Sequence, residues 1–321
     1  MHRAFSLLLL LSPPLAAAEG VQIERAGGEA RFSLKSAEVM DLSGIAWMGG
    51  SSFAAVSDKR NIIQYLSLTV NPATGAIASG SFAGVGVVPG NSGDFEGLAR
   101  VGKAFYLSTE SGPSVFKFDP ATRSSHRLSL PAIFAAARPN LSLESLTWNE
   151  GVRQFWTGNE EALFPDGPVS SAAKGTLVRL QQLDANFRPL AQYAWRTEPA
   201  TFRYANAGSG VSDLCLLPNG ELIVLERGFT RSGLRLRLFL ADFTKAADTS
   251  RLPRLADANP VLARKTLLYG ESTGFTNFEG LALGAPLANG WRSLILVADS
   301  NGGDTHTFLA MKIRFSISKR R

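Results

Sequence analysis

Glu96-Gly97-Leu98-Ala99-Arg100-Val101-Gly102-Lys103-Ala104-Phe105-Tyr106-Leu107-Ser108-Thr109-Glu110 is the stretch that decides the fold. It opens on an acid, a small residue and an apolar one, turns, and closes with an apolar strand ending in a second acid. Alternating residues on both sides of a short turn make a β-hairpin. The phrase returns as Ser43-Gly44-Ile45 to Asp58, Glu144-Ser145-Leu146 to Glu160, Ser212-Asp213-Leu214 to Glu226, and Glu279-Gly280-Leu281 to Asp299. Leu217-Pro218-Asn219-Gly220 supplies one of the reversing turns. From Ile45 through Leu98, Leu146 and Leu214 to Leu281 the steps are 53, 48, 68 and 67 residues. Such periods are those of propeller blades of four strands with loop insertions.

A third strand follows most hairpins, at residues 62–70, 115–118, 176–183, 234–240 and 307–315. Two of these run into Asn71-Pro72-Ala73-Thr74-Gly75 and Asp119-Pro120-Ala121-Thr122, turns in which Pro fixes φ at the second position. A fourth strand fits after them, as at Ala191 to Arg196, but the last repeat leaves no room for one. The surplus strand-like run Ala30 to Lys35 is expected to complete that last blade and close the ring, leaving no free sheet edge. The reading is therefore an all-β chain forming a single β-propeller of five four-stranded blades; a sixth would have to be degenerate. One short helix is expected at Ala132 to Ala137.

The 321 residues contain 45% apolar residues, 31 Gly and 16 Pro, and the repeats span nearly the whole length, which favours one domain over two. Met1-His2-Arg3, the apolar run Ala4 to Leu11 and Ala16-Ala17-Ala18 read as a signal peptide over residues 1–18, so the propeller domain is 19–321 and its place periplasmic or secreted. The apolar run is too short to span a membrane. Cys215, the single cysteine, falls at an apolar inner-strand position and is expected to be a buried small hydrophobe; a disulfide framework is excluded. The net charge of +6 includes no block of five or six basic residues, which argues against nucleic acid, and Lys319-Arg320-Arg321 reads as a solvated tail. A monomer is expected.

Hairpin geometry places the two ends of each phrase at one edge of the sheet, and ring symmetry brings those edges to one opening. Asp58, Glu96, Glu110, Glu144, Glu160, Asp213, Glu226, Glu279 and Asp299 are expected to converge there. Carboxylates brought together repel unless a cation or basic side chains answer them. Oxygen donors without paired His or Cys point to Ca²⁺, with Mg²⁺ the alternative, and no organic cofactor is implied. Glu96, Glu144 and Glu279 stand out as ligands, because Gly97, Ser145 and Gly280 let something approach the backbone. Asp58 and Glu226 are followed by Lys59-Arg60 and Arg227, which either neutralise them or face a phosphate. The competing reading is structural: acids at strand ends accept hydrogen bonds from amides of adjacent blades.

Asp94 to Ala99 (DFEGLA), Leu143 to Leu146 (LESL), Ser209 to Leu214 (SGVSDL), Leu225 to Gly228 (LERG) and Asn277 to Leu283 (NFEGLAL) resemble the exported phytase-like family described as having esterase-like activity. The resemblance spans roughly Asp41 to Ser300 and implies a bacterial, exported β-propeller hydrolysing esters or phosphate esters, with a small anionic or ester substrate. The Asp-rich and Lys-containing motifs of alkaline β-propeller phytases are not found in the sequence. On this reading Glu96, Glu144 and Glu279 hold the cation, Arg227 or Arg60 stabilises developing charge, and Glu110 or Glu160 acts as base.

Two other readings stand beside it. Gly270-Glu271-Ser272-Thr273-Gly274 matches GxSxG and is followed by Asp299 or Asp304 and then His306, the order of a serine carboxylesterase. That motif needs a strand-to-helix elbow, whereas Phe275-Thr276-Asn277 leads into another strand; His126 and His306 read as loop or strand-edge residues. A propeller can also bind a ligand or a protein without chemistry, with Trp47, Trp148, Trp156, Trp195 and Trp291 lining the funnel or packing between blades.

Overall fold

The computed structural model describes residues 20–33, 41–90, 93–203, 208–300, 303 and 305–316. The expected signal peptide, Asp304 and the basic tail lie outside these residues. Each sequence phrase forms the inner hairpin of a four-stranded antiparallel sheet. In chain order, β1 (Val21–Ser33) stands apart from the first sheet, which is β2 (Leu42–Gly49), β3 (Ser52–Ser57), β4 (Ile62–Val70) and β5 (Ile77–Val87). The second is β6 (Phe95–Val101), β7 (Ala104–Thr109), β8 (Ser114–Asp119) and β9 (Ser124–Leu128), and the third is β10 (Leu143–Asn149), β11 (Gln154–Asn159), β12 (Leu177–Asp184) and β13 (Pro189–Arg196). The fourth is β14 (Ser209–Leu216), β15 (Leu222–Thr230), β16 (Gly233–Asp242) and β17 (Arg264–Gly274). The fifth joins β18 (Asn277–Pro286), β19 (Arg292–Asp299) and β20 (Thr305–Phe315) to β1 as its outer strand. These are the five blades of a propeller.

Ring closure is as the sequence predicts. β1 pairs antiparallel with β20 from Val21 opposite Phe315 to Ser33 opposite Thr305, with a bulge between Arg25 and Glu29. The strand begins at Val21, earlier than the run Ala30 to Lys35 announced, because Gly27 and Gly28 sit in that bulge and break the alternation. The expected helix at Ala132 to Ala137 is a 3₁₀ turn over Ala132–Ala136.

The apolar core is divided into seams between consecutive blades. Leu42, Ile45 and Phe53 of the first blade meet Ile295, Val297 and Phe308 of the fifth. Leu98 and Phe105 meet Ala54 and Val56, and Leu143, Leu146 and Phe155 meet Tyr106 and Val115. Trp156 and Trp195 pack on Val211 and Leu214, and Leu225 packs on Leu281 and Leu296. Burial of this apolar surface is the main force closing a ring that has no disulfide. Cys215 lies in the last of these seams, buried and free, its thiol pushed up to about 12 by burial and then by Asp213, so it packs as a small hydrophobe.

Around the axis the inner strands β2, β6, β10, β14 and β18 lie one against the next. A Cβ on Gly97 would stand 2.3 Å from Leu146 N, and one on Gly280 would stand 2.3 Å from Ser43 O. What approaches these backbones is therefore the neighbouring blade and not a ligand, a correction to the reason for which Gly97 and Gly280 were singled out. In the fourth blade Asp213 takes the same place, its carboxylate accepting Leu214 N at 2.8 Å and Leu281 N of the fifth blade at 2.7 Å. Gly97→Ala is expected to destabilise the protein by about 3 kcal/mol, the upper end for overpacking, because backbone cannot swing aside. Gly28→Ala, where a Cβ meets nothing within 4 Å, is its control. Equal urea midpoints for the two variants would show that the inner strands can slip apart.

Candidate functional site

The inner strand of every blade carries a bulge at the same place. Ladder pairing skips from Leu42 to Ile45, from Phe95 to Leu98, from Leu143 to Ser145, from Val211 to Asp213 and from Phe278 to Gly280. The residues released from pairing include Ser43, Glu96, Glu144, Ser212 and Glu279. A bulge re-aims the side chain it frees, and here the freed side chains include three glutamates at one end of the axis. The pairing also fixes what lies opposite. Leu42 faces Ser57, Phe95 faces Thr109, Leu143 faces Asn159, Val211 faces Glu226 and Phe278 faces Ala298. The residues that follow, Asp58, Glu110, Glu160, Arg227 and Asp299, are thus structural equivalents.

This register separates Glu226 from the other acids, with which the sequence repeat had grouped it. Glu226 is fully buried and accepts Trp195 Nε1 at 2.7 Å and Glu198 N at 2.9 Å from the third blade and the chain leaving it, and Lys265 Nζ at 3.1 Å from β17 of its own blade. It and Asp213 serve the seams, as the structural reading of strand-end acids describes. Arg227 occupies the ring position instead. Its Nη2 donates to Glu160 Oε1 at 2.5 Å, and its Nη1 donates to Glu279 Oε1 at 2.6 Å and Asn277 Oδ1 at 2.9 Å. Arg60 is exposed on the loop after Asp58, and among the described residues it enters no ion pair with the ring.

The remaining acids gather closely. Carboxylate oxygens of Asp94, Glu96 and Glu110 all lie within 4.8 Å of one another, and so do those of Glu110, Glu144 and Glu160, so Glu110 belongs to both groups. Asp94 opens the DFEGLA motif, and repeat spacing alone did not mark it as a site residue. It takes a left-handed φ of 66°, where Asp is tolerated, and its Oδ2 accepts Ser111 N at 2.5 Å, which ties the entry to β6 to the segment leaving β7. Ser43 Oγ donates to Glu96 Oε2 at 2.7 Å, and Ser142 N donates to Glu110 Oε1 at 3.1 Å. Asp58 pairs with Lys59 through Oδ2, while its Oδ1 is buried without a hydrogen-bond partner among the described residues. Asp299, at the end of β19, acts electrostatically on Lys59 and Glu279.

These neighbours shift protonation in a consistent direction. Burial first, then the charge of Glu279, raises Glu96 well above the usual carboxylate range; burial, then Glu96, Glu160 and Glu110, does the same to Glu144. Glu110 is raised to about 7 by burial and by Glu160. Glu279 is raised to about 8 by burial, with Asp299 and Asp58 adding to it, although Arg227 opposes the shift. Burial also raises Asp58, against the pull of Lys59. Arg227 is held charged, because Glu160, Glu279 and Glu144 outweigh its burial. One guanidinium does not neutralise this many carboxylates, so the opening takes up either protons or a cation. Buried acidic clusters of this kind can hold a metal ion, and the donors are all oxygens, the set that suits hard divalent cations.

The elbow that a nucleophilic serine needs is absent at Ser272. It lies within the outer strand β17 opposite Arg235, and the chain passes through Phe275-Thr276 directly into β18. His306 is buried within β20 opposite Phe32. The tryptophans do not surround the carboxylates: Trp156 and Trp195 fill a seam, Trp291 lies beneath Lys312 and Arg314, and Trp47 and Trp148 stand at the far end of the inner strands.

No curated protein matches the chain in sequence. Among solved structures it is similar to a streptogramin B lyase (10% identity, TM-score 0.39, covering 92% of this chain and 98% of that one). It is similar too to a luciferin-regenerating enzyme (13% identity, TM-score 0.37, 91% and 95% covered). A third likeness is to the PQQ-bound aldose sugar dehydrogenase of Streptomyces coelicolor (11% identity, TM-score 0.42, 91% and 100% covered). Residues 37–302 match the Phytase-like family, described as having the esterase-like activity of phytase, and the chain belongs to that family.

Proposed function

We propose that the acidic opening binds Ca²⁺ and that the protein is a cation-dependent hydrolase of small esters, phosphate esters foremost. The observation that carries this reading is Glu110, shared by two groups of three carboxylates whose oxygens all approach within 4.8 Å. Asp94, Glu96 and Glu110 would hold one ion, and Glu110, Glu144 and Glu160 a second or a shifted one. Bound there, a divalent cation supplies a Lewis acid and lowers the pKa of a ligated water. The chain's own residues provide the rest. The bulges fix Glu96 and Glu144 on rigid strands, Ser43 orients Glu96, and Glu160 and Glu279 hold Arg227 as the fixed positive charge to face an anionic substrate. Arg60, exposed beside Asp58, contributes to attraction of anions.

Family membership and the leader-like residues 1–18 support export to the periplasm or medium, and no helix among the described residues is long and apolar enough to cross a membrane. A second reading, a propeller that binds without turnover, is favoured by one observation: both terminal nitrogens of Arg227 are already engaged by carboxylates. Hydrolysis of p-nitrophenyl phosphate and p-nitrophenyl acetate, each in Ca²⁺ and in EDTA, decides between them. We expect turnover of the phosphate ester in Ca²⁺ and its loss in EDTA. Turnover of acetate alone, indifferent to EDTA, would move the chemistry away from the acidic opening, and no turnover of either would leave the binding propeller.

A further inference from the structure

The inner strands run away from the carboxylates, so their last residues surround the opposite mouth of the axis. There they line a cavity of about 570 Å³, within the range of small-molecule sites. Its walls are the ends of β2, β6, β10 and β18 with the start of β19, and Cys215 and Leu216 contribute to the lining from β14. The chemistry at this mouth is the reverse of that at the other. Arg100 and Arg292 flank the strand end Trp47-Met48 from the second and fifth blades. Arg100 Nη1 donates to Met48 O at 2.8 Å. Arg292 donates twice to Gly284 O, at 3.1 and 2.6 Å, and its guanidinium stands 5.6 Å from the Trp47 ring centre. Both guanidiniums bond to backbone carbonyls, and among the described residues neither forms an ion pair. Burial, without a facing carboxylate, lowers the pKa of Arg292. Glu150, a carboxylate of the wall, is turned to Trp148 Nε1 at 3.0 Å and Arg153 at 3.7 Å.

A half-buried guanidinium with open donors and no counter-charge is a site for a carboxylate, sulfonate or phosphate group. Trp47 and Trp148, half-buried in the same wall, offer apolar ring faces next to it. We propose that this mouth binds a small organic anion carrying a planar aromatic group, its acid group taken by Arg100 and Arg292 and its ring laid against Trp47 and Trp148. The site is independent of the cation chemistry proposed for the other end, since none of the clustered carboxylates lines it.

Titration with naphthalene-1-sulfonate, followed by tryptophan fluorescence and with EDTA present throughout, tests this without contribution from a cation at the acidic opening. We expect saturable quenching, and at least tenfold weaker binding both for the Arg100→Gln/Arg292→Gln variant and for 1-naphthol, which lacks the acid group. Should the double variant melt early, Arg100→Gln alone, which gives up one hydrogen bond to Met48 O, is expected to weaken binding at least threefold. Absence of saturation, equal affinity in the arginine variants, or equal binding of 1-naphthol would overturn the proposal.

Discussion

Glu110→Gln is expected to shift the melting temperature in opposite directions in the two metal states: upward in EDTA and downward in excess Ca²⁺. The wild-type carboxyl is raised to about 7 by burial and by the charge of Glu160, so ionised Glu110 is unfavourable unless a cation answers it. Gln keeps the volume and the acceptor for Ser142 N, 3.1 Å away in the wild type, but removes the repelling charge. The same change removes the carboxylate common to both groups and, on the proposed reading, is expected to lower Ca²⁺ affinity about a hundredfold, the upper range for perturbing a metal site. At an ion concentration 100 times Kd the wild type gains about 2.7 kcal/mol. In a chain of this size that is roughly 5 °C, nearly all of which the variant would lose. If Glu110 instead only ties the second blade to the third through Ser142 N, the variant melts at or below the wild-type temperature in both buffers and the response to Ca²⁺ is unchanged. Differential scanning calorimetry of both proteins in both buffers separates the two cases by sign and not only by size.

The ring was legible because its parts repeat. Alternation in Phe105-Tyr106-Leu107, the turns at Asn71-Pro72 and Asp119-Pro120, and a stray strand before Ser43 each report a local backbone preference, and these preferences all agree with one topology. Five such phrases fix the blade count, and a last repeat without its fourth strand fixes the closure. The limits of β1 were less legible, since Gly27-Gly28 reads as a break in the strand and turns out to be a bulge within it.

The candidate site was legible in kind and not in register. Sequence spacing shows that acids recur at both ends of each hairpin, but the length of the turn between them shifts the register without any marker of its own. Leu98 pairs with Leu107, nine residues on, and Leu214 with Val224, ten residues on, so the residue three past the partner is Glu110 in the second blade and Arg227, not Glu226, in the fourth. Counting from the apolar core offers the signal that would have shown this. Val224 and Leu225 are fully buried, and Glu226, opposite Val211, stands at the place of Ser57 and Asn159, whereas Arg227, still paired with Gly210, stands at the place of Asp58 and Glu160. Asp94 escaped notice because it precedes the strand, placed by a left-handed turn that only the folded chain defines. The small residues after the glutamates were read correctly as points of close approach, but what approaches is the next blade.

The metal-free protein is expected to lose stability as the pH rises from 5 to 9, and Ca²⁺ to restore it most at the upper end. Glu279 is raised to about 8 and Glu110 to about 7, in both cases by burial before any neighbouring charge, and Glu96 and Glu144 are raised as well. A carboxyl raised in the folded state holds its proton more tightly there than in the unfolded chain. The stability this contributes is complete below the unfolded value near 4.5, and it is lost progressively as the pH rises to and through about 7 and 8. A tenfold tighter hold on one proton is worth about 1.4 kcal/mol, so these glutamates together outweigh any surface ion pair, and a loss on the order of 3 kcal/mol or more is expected in EDTA. Cation binding requires the same groups ionised, so affinity for Ca²⁺ grows over the same interval in which the metal-free protein weakens. Melting temperatures in EDTA and in Ca²⁺ should therefore diverge steadily between pH 5 and pH 9. A metal-free melting temperature that stays level or climbs over that interval would mean that Arg227, Lys59 and the backbone amides already satisfy the ionised ring. The carboxylates would then be part of the scaffold, with no unmet charge for a cation to answer.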